Sequence, residues 1–209
     1  MDLLYKIAIS LGLVGTGGAG AFYGIKRFGT TRVKHKLGNR LLSTKGNENK
    51  AQWESRLDSL KKSSSSHLTA ELQALKNTAQ NKTWQDLRDV CSQRIEEPFQ
   101  EEDSKFKEVV DYCTFRNKDK LGSGVINEAL ESSGTLKSGG KWNKVSEALK
   151  SRETGVSSTM KGIQDKLKAS SNPETTALKT WCEGASETPW INDEDPSFKD
   201  AQQHCLDNS

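Results

Sequence analysis

Apolar residues recur at helical spacing through most of the chain. Trp53, Leu57 and Leu60 stand at intervals of four and three, and Leu68, Leu72 and Leu75 resume the stripe after the serines Ser63 to Ser66. Trp84, Leu87, Val90, Cys91 and Ile95 mark another helix face, which Pro98 stops or closely follows. Asp103 is placed to cap a last helix with Phe106, Val109, Val110 and Cys113 on one side. The second half repeats the plan. Trp142, Val145 and Leu149 open it, Met160, Ile163 and Leu167 follow, and Leu178, Trp181 and Cys182 give a third stripe. Asp195-Pro196 then reads as a helix start, because proline is favoured at the first helical position, with Phe198, Ala201, Gln202 and Cys205 on its face. Period-two alternation is confined to a few residues at a time. The pattern predicts an all-α chain.

The two halves share residues as well as period. Trp53, Leu87, Cys91, Glu96, Pro98, Phe99, Asp103, Phe106, Lys107 and Cys113 return as Trp142, Leu178, Cys182, Glu187, Pro189, Trp190, Asp195, Phe198, Lys199 and Cys205. The offset is 89 at the tryptophan, 91 from Leu87 to Phe99 and 92 from Asp103 to Cys113, as expected where loops gain a residue. This predicts two similar helical modules, 51–116 and 141–209, separated by a Gly- and Ser-rich linker at 117–140. Each module holds one cysteine pair. Four cysteines allow three connectivities, and the duplication favours Cys91–Cys113 and Cys182–Cys205. Modules this small, in a chain with 33% apolar residues, need such a staple.

The N-terminus breaks the amphipathic pattern. Ile7 to Ile25 is a run of 19 residues without charge, about 28 Å as a helix and close to the thickness of a bilayer's hydrocarbon core. Gly12, Thr16, Gly20 and Gly24 recur every four residues and would line one helix face with small side chains, the kind of surface on which membrane helices pack. Residues 1–26 are therefore read as a transmembrane anchor. The alternative is a signal peptide cleaved near Ala19-Gly20-Ala21. Tyr23 and the Lys26-Arg27 pair at the end of the run favour the anchor.

Charge adds a second asymmetry. The net charge is only +3, yet residues 26–50 carry eight basic residues against Glu48 alone. Residues 27–50 read as a basic juxtamembrane linker drawn to anionic head groups. A nucleic-acid partner is disfavoured, since Phe28 is the only aromatic residue there. Lipid is the expected partner of the N-terminal segment and protein that of the modules.

Chemistry-bearing motifs give little. Gly15, Gly17 and Gly20 fit G-x-G-x-x-G, but the acidic residue that would hold a ribose is missing from 32–42, and no strand–helix alternation follows. Zinc ligands come in tighter pairs than these cysteines, and C-x-x-C is absent. His35, His67 and His204 do not recur between the halves. No P-loop or H-E-x-x-H occurs. Asn192-Asp193-Glu194-Asp195 lacks the ligand spacing and central glycine of a calcium loop. The expectation is a chain that is not an enzyme, with no catalytic, cofactor or metal residues.

The Gly-rich apolar start, the basic flank and the repeated Trp, Leu-x-x-x-Cys, Pro-aromatic, Phe-Lys and Cys pattern resemble the uncharacterised paralogous membrane-anchored proteins of haemotropic mycoplasmas. The resemblance runs from Leu3 to Cys205. It implies a surface protein engaged in host interaction or antigenic variation, and carries no functional residues with it. Two other readings stay open: a cytosol-facing, membrane-attached scaffold with reduced cysteines, and an enzyme of unrecognised type. Dense basic charge after the apolar run favours a cytosolic side, whereas matched cysteine pairs favour an oxidising exterior. The modules are expected outside the cell.

Overall fold

A computed structural model describes residues 31–64, 68–78 and 82–207. The segment expected to cross a membrane, with Gly12, Thr16, Gly20 and Gly24, lies outside the described residues. Among them no helix is long and apolar enough to cross a membrane. Among the described residues there are ten α-helices and no strand beyond isolated bridges: α1 Val33–Leu37, α2 Lys50–Lys62, α3 Ala70–Asn77, α4 Trp84–Arg94, α5 Ser104–Tyr112, α6 Asn117–Leu121, α7 Lys141–Ser151, α8 Ser158–Lys168, α9 Ala177–Glu187 and α10 Pro196–His204.

The helices begin where short polar side chains can hold free backbone N–H groups. Asp103 accepts from Lys105 N at 2.9 Å and Asp195 from Phe198 N at 3.0 Å, so both expected caps form. At α4 the Asp86 carboxylate reaches back to the Thr83 N–H at 2.8 Å, half of a capping box. Each helix then buries its apolar face. Trp53, Leu57, Leu60, Leu72, Leu75, Leu87, Cys91 and Val109 share one core, and Trp142, Leu149, Met160, Ile163, Leu167, Leu178, Cys182 and Ala201 share another. Burying a side chain such as Leu60 or Leu87 contributes roughly 2 kcal/mol. On α10 the face differs from expectation. Gln202 is exposed, while Asp200 and His204 are buried.

The repeat is longer than its conspicuous residues show. Val33, Leu37 and Leu42 enter the first core, so residues 31–50 are part of module one and not a linker. Their charges are engaged too. Arg32 and Lys34 pair with Glu96 at 2.6 and 2.8 Å, and Lys36 stands 5.0 Å over the Phe99 ring. Leu121, Ile126 and Leu136 enter the second core in the same way, so 117–140 is not a linker either. Helices α1 and α6 are counterparts. Each ends at a glycine in the left-handed region, Gly38 at φ 53° and Gly122 at φ 74°, where a β-carbon would be strained. Each is framed by the same bridges, Arg32 to Pro98 and Leu41 to Thr114 in one module, Arg116 to Pro189 and Val125 to Leu206 in the other. Leu42 N donates to Cys113 O at 2.9 Å, and Ile126 N to Cys205 O at 3.0 Å. Module one therefore spans about residues 31–114 and module two about 115–207.

These boundaries carry a prediction. A fragment of residues 115–207 should be helical and melt cooperatively. A fragment of residues 140–209 lacks Leu121, Ile126, Leu136 and the Glu128 carbonyl that accepts from the Trp142 indole at 3.2 Å. It should show clearly weaker circular dichroism and a melt at least 10 °C lower, roughly what losing two or three buried side chains costs. Equal melts for the two fragments would mean that α6 is not integral to the module.

Candidate functional site

The four cysteines meet as the duplication predicts. Cys91 joins Cys113 with Cα atoms 5.7 Å apart, Cys182 joins Cys205 at 5.6 Å, and no free cysteine remains. Each bond ties the fourth helix of a module to the residue that ends its fifth. The repeated aromatic residues sit beside it. Phe99 packs edge-on against Phe106 at 4.9 Å, and Trp190 against Phe198 at 6.4 Å. The two repeated tryptophans anchor the loop before them, Trp53 through the Ser43 carbonyl at 3.0 Å and Trp142 through that of Glu128.

A second repeated device was not foreseen. Glu108 and Asp200 are buried acids at the same repeat position. Glu108 accepts from the Thr69 hydroxyl at 2.9 Å and also from its N–H, while Asp200 accepts from the Ser157 hydroxyl at 2.6 Å. Thr69 and Ser157 are the cap residues of α3 and α8, so each acid fixes the start of a helix whose side chains complete the core. The pairing of Glu108 with Asp200 falls within the offset-92 window already visible in the sequence.

Between the modules lies a charged seat that the repeat does not duplicate. Only residues 114–116 join Cys113 to α6, which packs on α9 and α10 and reaches α2 through its Asp119 side chain. Arg56 of α2 is fully buried; its Nε donates to Thr114 O at 3.1 Å, and its guanidinium pairs with Asp119 of α6. Asp119 also accepts from Arg116 N at 2.7 Å, so one carboxylate both caps α6 and neutralises Arg56. Arg116 Nη1 donates to Ser59 Oγ at 3.0 Å and pairs with Glu187, which Lys118 also reaches at 2.7 Å. Arg40 Nε donates to the Trp190 carbonyl at 3.2 Å. Lys120 stands 3.7 Å over the Phe115 ring and 4.7 Å over that of Trp190.

Burial lowers the pKa of Arg56, and Asp119 opposes that shift. Burial pushes the Glu187 carboxyl up, but Lys118 and Arg116 outweigh it and hold the group below its ordinary value. The seat is thus an electrostatic clasp around one deeply desolvated cation. Of these residues only Glu187 and Trp190 were singled out from sequence, and those as members of the repeat. The signal that could have found the others is the Leu37-Gly38 and Leu121-Gly122 pair, which marks α1 and α6 as counterparts.

His204 belongs to neither the clasp nor the repeat, for module one has Tyr112 in its place. Burial and the nearby Arg152 depress its pKa, against a smaller opposing pull from Asp200. The unfolded chain therefore protonates this histidine first. Stability owed to neutral His204 is complete above the unfolded value of about 6.5 and is lost as the pH falls from there through the lower folded value. The full chain should melt lower at pH 5.5 than at pH 7.5, and His204→Gln should shrink that difference. An unchanged difference in the variant would assign the pH dependence to other groups.

Among the described residues no group of three or more His, Cys, Asp and Glu side chains is placed to hold a metal ion. Comparison of the chain with protein-family models, with curated proteins and with solved structures finds no match.

Proposed function

We propose that this chain is a membrane-anchored binding protein that presents two disulfide-stapled helical modules on the outer face of the cell, in host interaction or as a variable antigen. The observation that carries the reading is the closure of both cysteine pairs inside their own modules, an arrangement suited to an oxidising exterior. The uncharged run from Ile7 to Ile25 supplies the anchor. The fold supports binding in a further way: its buried polar groups cap helices and clasp modules, which makes a rigid platform for surface contacts.

Thiol labelling of intact cells tests this. A membrane-impermeant maleimide should label the protein only after an impermeant reductant, and deletion of residues 1–26 should release the chain into the soluble fraction. Labelling that needs permeabilisation but no reductant would instead place reduced modules in the cytosol. That second reading draws on the basic residues after the apolar run.

A further inference from the structure

We infer that module two carries a docking groove for an acidic helical segment of a partner protein, at the position where module one seats α6. The two modules superpose in sequence through Trp53 with Trp142 and Leu60 with Leu149, all buried. On that register Arg56, Ser59 and Ser63 of α2 correspond to Val145, Ala148 and Arg152 of α7. Asp111, Tyr112 and Phe115 at the end of α5 correspond to Gln203, His204 and Asp207 at the end of α10.

In module one these positions hold the next module. Arg56 pairs with Asp119, Ser59 accepts from Arg116 at 3.0 Å, and the Asp111 carbonyl lies 3.5 Å from Arg116 Nη2. In module two the same positions line an open groove of about 620 Å3, bounded by Lys141, Lys144, Val145, Ala148, Ser151, Arg152, Gln203, His204 and Asp207. Two further positions differ between the modules. The phenol of Tyr112 reaches toward Ser63 in module one, whereas the shorter His204 leaves its Nε2 buried without a hydrogen-bond partner, and Arg152 replaces Ser63 at the rim.

Charge selects the occupant. Lys144 and Arg152 make no ion pair among the described residues, and Lys141 pairs with Asp207, the groove's one acid. The corresponding segment of a second copy, α1 with Arg32, Lys34 and Lys36, is basic and would be repelled. A helical segment bearing carboxylates complements the rim, while its apolar side meets Val145, Ala148 and Leu149. This proposal names the partner chemistry of the displayed modules and rests on that reading. The binding test below is independent of membrane sidedness, so the two can fail separately.

The test is fluorescence anisotropy with full-length protein in detergent. The probe is a labelled peptide of residues 114–126 carrying Arg116→Glu, Lys118→Glu and Lys120→Glu. It should bind roughly tenfold more tightly than the unsubstituted peptide. Binding should weaken about tenfold in Lys144→Glu/Arg152→Glu and also in Ala148→Trp, which fills the groove without changing charge. It should be unchanged in Lys161→Glu/Lys168→Glu on α8. Circular dichroism and an intact Cys182–Cys205 bond establish that each variant is folded. Equal binding of both peptides, equal binding by all variants, or binding of a heparin oligosaccharide in place of the acidic peptide would overturn the proposal.

Discussion

Asp119→Ala should destabilise the chain by about 3–5 kcal/mol, the cost of leaving a buried charge without its partner. The Arg56 side chain is 0% exposed and that of Asp119 is 7% exposed, so solvent cannot take the carboxylate's place. The same carboxylate caps α6 through the Arg116 N–H, so the loss reaches the first turn of module two. Urea unfolding of the full chain should pass from one transition to two, because the clasp couples the modules. Arg56→Met with Asp119→Leu should recover most of the loss, since it removes both charges and fills the space with apolar atoms. Arg56 Nη1 is buried without a hydrogen-bond partner among the described residues, but the exchange gives up the Nε bond to Thr114 O and the α6 cap, so recovery is incomplete. A single transition and a loss under 1 kcal/mol for Asp119→Ala would show that the pair is solvated and the modules are held by other contacts.

Cys91→Ser should have the second largest effect. The Cys91–Cys113 bond spans 22 residues, and closing a loop of that length stabilises by roughly 3 kcal/mol in the chain-entropy model. Module one then has to stay folded on its apolar core alone, with Trp53, Leu60 and Leu87 at its centre. Non-reducing peptide mapping of the variant should find Cys113 free and Cys182 still joined to Cys205. Thermal unfolding should remain a single transition at a lower temperature, because the intact clasp still couples the modules. A Cys113–Cys182 or Cys113–Cys205 peptide would mean that the two modules exchange cysteines and are not self-contained.

Much of the fold was legible because helical cores leave periodic marks. Trp84, Leu87 and Cys91 must lie on one stripe to be buried together, and Asp103 and Asp195 announce helix starts through their own side chains. The pairing of the cysteines was legible for a different reason: duplication makes each copy complete. The segments around α1 and α6 were misread because they are five-residue helices rich in Lys, Arg and Gly. Composition marks such stretches as linkers. Only the placement of Val33, Leu37 and Ile126 against distant cores gives them a structural role.

The sequence by itself determined the local chemistry: helix type, caps, the duplicated plan and which cysteines belong together. Each depends on residues near one another in the chain or on the comparison of one copy with the other. The tertiary structure decided which polar residues face inward. Arg56 and Lys62 lie on the same helix and both carry a positive charge. Arg56 is buried because Asp119, 63 positions away, stands opposite it. Glu108 and Asp200 are acids among many. They are buried because the cap residues of α3 and α8 are carried to them. The open groove of module two has the same origin. Val145, Ala148 and Arg152 are unexceptional in sequence, and acquire meaning only once their counterparts in module one are seen holding α6. Burial of a charge depends on a partner brought from afar, and no local pattern encodes that meeting.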